Sequence, residues 1–346
     1  MTGGVSEPAR SQAAKRGRDL AERARAGERR PLARLLTEVE DRTPTGEAAL
    51  RILYPLAGAA HLVGVTGAPG SGKSTLVAAL VGEARRDGRR VAVLAIDPSS
   101  PITGGAILGD RVRMQAHAGD RDVFIRSMAS RGHAGGLAAA TVAAAAVFDA
   151  VGFPLVFIET VGTGQAEVEV AAIADTTVVV QAPEMGDEVQ AIKAGLLEVA
   201  DLVVVNKGDR PGAHRAAAQL RAMLTVGREN DRVAAESGRP RPKRPDVLLA
   251  TALSGEGVPE LLRALDRREA ARRAATDDGE VDATRLIRAR AQLHGILGER
   301  VRARLAEPAL EADTALLVRA VADHELDPYA AADRALDLLA GRSRVG

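Results

Sequence analysis

Gly67-Ala68-Pro69-Gly70-Ser71-Gly72-Lys73-Ser74 is the stretch whose reading decides this chain. Its spacing is G-x-x-x-x-G-K-[ST], the pattern of a phosphate-binding loop. An apolar run at residues 62–65 stands before it and reads as a buried strand, and a helical pattern over 75–84 follows. The motif requires that strand–loop–helix context. The glycines let the backbone curl so that successive N–H groups point at phosphate oxygens. The helix that begins around Thr75 offers its positive N-terminus to the same anion. Lys73 supplies a point charge for the β and γ phosphates, and the Ser74 hydroxyl is placed to ligate Mg²⁺.

Outward from the loop, apolar runs alternate with helical stretches. The strand candidates are 62–65, 91–96, 155–159, 177–181, 202–206 and 247–251. Each is nearly continuous in Val, Ile, Leu or Ala, the composition of strands covered on both faces. The long helical stretches between them demand crossover connections. The expected fold is therefore α/β, a mostly parallel sheet flanked by helices, with functional residues at the carboxyl ends of the strands. Before the sheet, residues 1–18 are Gly-, Ser-, Ala- and Arg-rich without a period and read as a frayed tail. Leu32, Leu35, Leu36 and Val39 fall at helical spacing, residues 41–46 break the pattern, and a second helix spans 47–56. After about residue 266 the strands stop. Leu286, Leu293, Leu297, Val301 and Leu305 form an apolar helical stripe, and Asp327-Pro328 reads as a helix start. These shifts divide the chain into an N-terminal tail and helical extension (1–56), a nucleotide domain (57–270) and a C-terminal helical arm (271–346).

Composition narrows the class. Aromatic residues are only 2%, too few for base-stacking platforms, and 47 basic against 46 acidic residues leave a formal net charge of +1. Neither feature fits a nucleic-acid binder. The absence of cysteine removes disulfides, thiolate metal sites and cysteine nucleophiles. No apolar run is long enough to span a membrane and no signal-peptide pattern opens the chain, so a cytoplasmic protein is expected.

A second motif specifies the base. Asn206-Lys207-Gly208-Asp209 follows the apolar run LVVV. A carboxylate held at Asp209 accepts from the N1–H and N2 amino groups of guanine, a donor pair that adenine lacks, and the stem of Lys207 can cover the base. Thr251-Ala252-Leu253 follows the last strand run, where its N–H groups can reach the guanine oxygen. The expected ligands are GTP and GDP with Mg²⁺. Three acids lie between the motifs: Asp97 in DPSSP, Asp110 in TGGAILGDRVRM and Glu159 in ETVG. A carboxylate at a strand end beside a phosphate loop holds Mg²⁺, and the Gly162 N–H can meet a γ-phosphate. The alternative for Asp97 is a turn or cap before Pro98. Gln190 and Lys193, at i and i+3 in GDEVQAIKAG, share one helix face, which is either solvated or functional. His133, in SRGHAGG, is a catalytic candidate on composition alone. Thr163 stands directly after Gly162, the nearest Gln is Gln165, and the loop holds no Arg. Slow unassisted hydrolysis follows from that.

GAPGSGKS, DPSSP, TGGAILGDRVRM, ETVGTGQAE, GDEVQAIKAGLLEVADLVVVNKGD and LDPYAAADR together resemble the MeaB/ArgK family of P-loop GTPases, over about residues 32–339. The resemblance implies a GTP-hydrolysing chaperone of an adenosylcobalamin-dependent acyl-CoA mutase, chiefly methylmalonyl-CoA mutase. It implies a homodimer held partly by the C-terminal arm. It assigns Mg²⁺ and catalytic roles to Asp97, Asp110 and Glu159 beside Lys73 and Ser74, and a switch that reports nucleotide state to Gln190 and Lys193. A nickel-insertion GTPase of the same branch would carry Cys and His metal ligands, and this sequence has no Cys and no His cluster.

Overall fold

The computed structural model describes residues 7–98, 117, 119–130, 136–160, 170–183, 197, 199–226, 245–277 and 283–341. Three helices open the chain: α1 (Glu7–Arg25), α2 (Arg29–Glu40) and α3 (Pro44–Leu53). The sheet and its helices follow as β1 (His61–Thr66), α4 (Lys73–Arg86), β2 (Val91–Pro98), β3 (Val123–Ser130), α5 (Gly136–Ala150), β4 (Leu155–Thr160), β5 (Thr176–Gln181), β6 (Leu202–Val205), α6 (Ala213–Val226), β7 (Asp246–Leu249) and α7 (Val258–Asp277). Then come α8 (Ala283–Leu305), α9 (Pro308–Ala322) and α10 (Pro328–Leu339). The seven strands lie in the order β3-β2-β4-β1-β5-β6-β7 and every neighbouring pair is parallel.

Alternate strand residues feed two packed layers. Ala92, Leu94, Ile96, Val156 and Ile158 pack against α5 and the opening helices. Val63, Val65, Val91, Val93 and Val178 pack against α4 and α7 on the other face. Leu32, Leu35, Leu36 and Val39 of α2 share the first layer with Phe148 and Phe153, so the opening helices are part of the main core. The closing helices are not. Among the described residues of α8, α9 and α10, only Leu317 and Leu338 are buried.

Three expectations are corrected. The expected tail is helical from Glu7 on, because Gly17 and Ala21 make a face of small side chains that packs closely on α3. A Cβ at Gly17 would lie 2.6 Å from the Thr45 carbonyl. The break around residue 41 is shorter than expected, since Thr43 caps α3 by accepting from the Gly46 N–H. β3 was not expected at all. It is an edge strand whose Arg126 interrupts the apolar run and pairs with Glu40 of α2. Elsewhere the strand runs stand within two residues of their expected places, and Asp327 caps α10 by accepting from the Tyr329 and Ala330 N–H groups.

Candidate nucleotide site

β1 occupies the middle of the sheet and delivers the chain to the loop at its carboxyl end. Gly67 has φ +138° and a Cβ there would sit 2.1 Å from the Val180 carbonyl, so only glycine lets the loop lie against β5. Gly72 has φ +91°, and its missing Cβ makes room for the Asn206 amide, which would otherwise be 2.4 Å away. α4 starts at Lys73, two residues earlier than the sequence pattern, so Lys73 and Ser74 stand in its first turn. Here the first-turn N–H groups and the helix dipole both favour an anion.

Lys73 is buried, and its Nζ donates to the Gly67 carbonyl at 2.7 Å and the Ala68 carbonyl at 3.1 Å. Its ammonium thus lies along the inner rim of the loop. The Ser74 hydroxyl donates to Glu159 Oε1 at 2.5 Å, and both side chains are buried. A hydroxyl and a carboxylate are hard oxygen donors, the set a divalent Mg²⁺ takes, and they meet at the end of β4 beside the loop. The Ser71 hydroxyl is fully buried and has no hydrogen-bond partner among the described residues, a second polar group in the loop suited to a ligand. Among the described residues no cluster of three or more His, Cys, Asp or Glu side chains is available for a metal. Asp97 lies at the end of β2, paired in register with Ala129, and its side chain is outside the described residues. Asp110, Gly162, Gln190, Lys193 and His133 also lie outside them.

The base-reading motif follows β6, two places from β1 in the sheet. Asn206 acts inside the protein. Its Nδ2 donates to the Ser71 carbonyl at 3.0 Å, and its Oδ1 accepts from the Ala252 N–H at 3.1 Å. The Thr251 N–H donates to the Glu256 carbonyl at 2.8 Å. Two of the three amides expected to reach the base are therefore committed within the chain. Lys207 adopts a left-handed backbone with φ +57°, and Gly208 donates to the Ala250 carbonyl at 2.9 Å. That turn leaves Asp209 exposed, and Leu253 is 90% exposed across from it on the neighbouring loop. The motif reading missed one pair. The Thr160 hydroxyl donates to Thr66 Oγ1 at 3.2 Å, tying the strand that carries Glu159 to the strand that feeds the loop. The signal was a Thr directly before Gly67 and another directly after Glu159.

A central parallel strand, a glycine-walled loop, a helix starting on its lysine and a guanine-type Asn-Lys-Gly-Asp turn define a P-loop nucleotide hydrolase. The family model described as methylmalonyl Co-A mutase-associated GTPase MeaB matches residues 32–309. A putative GTPase of Pyrococcus horikoshii is 42% identical over 94% of this chain and 98% of its own length. GTPase ArgK of Escherichia coli is 41% identical over 70% of this chain and 73% of its own. The mouse mitochondrial methylmalonic aciduria type A homolog is 34% identical over 81% of this chain and 66% of its own. A crystal structure of LAO/AO transport system kinase superposes with a TM-score of 0.62 at 27% identity, covering 97% of this chain and 99% of that one. The chain belongs to the MeaB family, and it is a GTPase that binds guanine nucleotide. No helix among the described residues is long and apolar enough to cross a membrane.

Proposed function

We propose that this GTPase is the chaperone of an adenosylcobalamin-dependent acyl-CoA mutase, methylmalonyl-CoA mutase in the first instance. It would gate cofactor loading and protect or reactivate the mutase. The observation that carries the reading is the family match over residues 32–309, whose description names that mutase. We assign nucleotide binding to 57–270, with the helices before it as an extension and those after it as a dimerisation arm in a cytoplasmic homodimer. Exposed Leu286, Leu293, Leu297, Leu316, Val318 and Leu336 on that arm support the dimer.

In this reading the amides of residues 67–75 hold the phosphates and Lys73 neutralises charge between the β and γ groups. Ser74, Asp97, Asp110 and Glu159 hold Mg²⁺, directly or through water. When bound, the ion neutralises charge developing on the phosphate oxygens. The Gly162 N–H meets the γ-phosphate. Asp209 selects guanine, with Lys207 and Leu253 lining the base. Asn206 aligns the loop with the turn of Thr251 and Ala252. Thr163 takes the place after Gly162 where a water-orienting Gln would stand, and the loop carries no Arg. Turnover alone is therefore slow, and the mutase supplies the stimulus through the segment bearing Gln190 and Lys193. By linkage, GTP must tighten mutase binding by the factor by which the mutase favours the GTP-competent state.

Single-turnover hydrolysis, alone and with the mutase, tests this, repeated with Gln190→Ala and Lys193→Ala. The expected result is a stimulation that both changes reduce. Fast turnover by the lone chain, or stimulation untouched by either change, would overturn the assignment.

A further inference from the structure

α8 is a 23-residue helix, yet none of its described side chains is fully buried. Its apolar stripe is poorly covered: Leu286, Leu293 and Leu297 are 58%, 64% and 56% exposed, and Val301 and Leu305 are half-buried. The face it turns inward is spaced 285, 289, 292, 296, 299 and 303, the three-and-four spacing of a packing seam. With Leu286 and Arg300, which line the same seam from its flank, these residues include only two large apolar side chains among eight. Across from them α5 presents Ala139, Ala140, Ala143, Ala145 and Ala146, with Val142 and Asp149 beside them. Small side chains on both walls leave space between the helices. Two cavities of about 350 and 390 Å³ lie along the seam, and Gln292 lines both.

Polar fasteners hold the seam instead. Arg285 donates to the Gly58 carbonyl at 2.9 Å, and the Tyr54 hydroxyl donates to Gln292 Oε1 at 3.2 Å. Arg42 pairs with Glu299, and Arg300 donates to Glu47 at 3.0 Å. All four run from α8 to residues 42–58, joining the two ends of the chain over α5. Such pairs are individually weak and screened by salt. Among its described residues the helix has no buried stripe on this seat to add cohesion, and most helical stability in proteins comes from such a stripe. By contrast α3, on the other side of the seam, buries Ala49 and Leu53 completely. The two walls of the seam therefore differ in how firmly they are held.

We propose that α8 is a releasable strap: it is buckled to the N-terminal helices by the Arg42–Glu299 and Glu47–Arg300 pairs over an underfilled seam, and it lifts as a unit while the sheet stays folded. The buckle depends on ionic strength. Lifting also unloads α5, the helix that returns the chain from β3 to β4. This inference concerns the seat of α8 on its own chain and does not rest on the chaperone reading.

Hydrogen–deuterium exchange on the full chain tests it, comparing wild type with Arg42→Glu plus Arg300→Glu. A third variant adds Glu299→Arg and Glu47→Arg to restore both pairs in swapped order. Breaking the pairs should speed exchange of α8 amides at least about tenfold without changing β1 or β4, the pattern of a local opening. Restoring them should bring α8 back to within about threefold of wild type, and 1 M salt should act on wild type as the broken pairs do. If α8 exchange is unchanged by breaking the pairs, or the sheet speeds up with it, the strap is wrong. A swapped variant as labile as the broken one also overturns it, since the pairs would then not be the buckle.

Discussion

The Asn206 side chain donates to the carbonyl of Ser71, 135 residues away in sequence, at 3.0 Å, and accepts from the Ala252 N–H on a third loop. One buried amide thus aligns the phosphate loop with the loop beside the base. Asn206→Ala should leave the Ser71 carbonyl and the Ala252 N–H buried and unpaired, at a cost of about 1–3 kcal/mol of stability. GDP and GTP affinity should fall together, by about tenfold or more, since 1.4 kcal/mol is a factor of ten. Titration with fluorescent GDP, GTP and ATP checks this. A changed preference between GTP and ATP at unchanged GTP affinity would mean that Asn206 reads the base directly.

Asp209 is exposed, held by a turn in which Lys207 has positive φ. Asp209→Asn turns an acceptor pair into a mixed donor and acceptor. GTP binding should weaken by at least about a hundredfold, the scale of a mismatched polar reader, while xanthosine triphosphate gains. Competition binding with the two nucleotides measures the switch. Wild-type protein that binds ATP and GTP equally would remove the guanine assignment.

Glu159 ends β4 and accepts from Ser74 at 2.5 Å in a buried setting. Glu159→Gln keeps the volume and removes the charge. Hydrolysis should fall by about a hundredfold or more, the usual size of a lost electrostatic contribution, with GDP affinity nearly kept. Its rate should also lose most of its dependence on Mg²⁺ concentration. Turnover measured across a Mg²⁺ series, for Glu159→Gln and Ser74→Ala, checks both points, and a wild-type Mg²⁺ profile in both variants would refute the pair as the ion's seat.

His61 lies at the start of β1, and its Nε2 is 2.8 Å from the Thr176 hydroxyl. Burial pushes its imidazole below the ordinary value, against the opposing pull of the carboxylates of Glu269 and Asp175. Above about pH 7.5 both folded and unfolded chains hold it neutral, since the ordinary value is about 6.5. As pH falls through that value the unfolded chain takes the proton first, so stability drops, by at most about 1.4 kcal/mol per pH unit. His61→Gln, which keeps a partner for Thr176, should flatten the melting temperature between pH 7 and the lower folded value. Parallel melting curves for wild type and His61→Gln across that window would show that His61 does not titrate on unfolding.

The sequence by itself determined the loop, the parallel α/β class and the guanine-type turn. Each is a local pattern: glycines at fixed offsets before a lysine, strands apolar on every residue, a carboxylate two residues after a lysine. β3 escaped because an edge strand is covered on fewer sides and tolerates Arg126, whose partner Glu40 lies 86 residues away. α1 escaped because its contact face is Gly17, Leu20, Ala21 and Ala24, where closeness of backbones replaces bulk. Only the tertiary structure decided that Asn206 spends its amide on two other loops, that Thr66 and Thr160 share a hydrogen bond, and that Leu286, Leu293 and Leu297 of the α8 stripe stay more than half exposed. A stripe fixes which residues share a helix face. The packing of the other elements fixes which way that face turns, and no spacing within one helix encodes it.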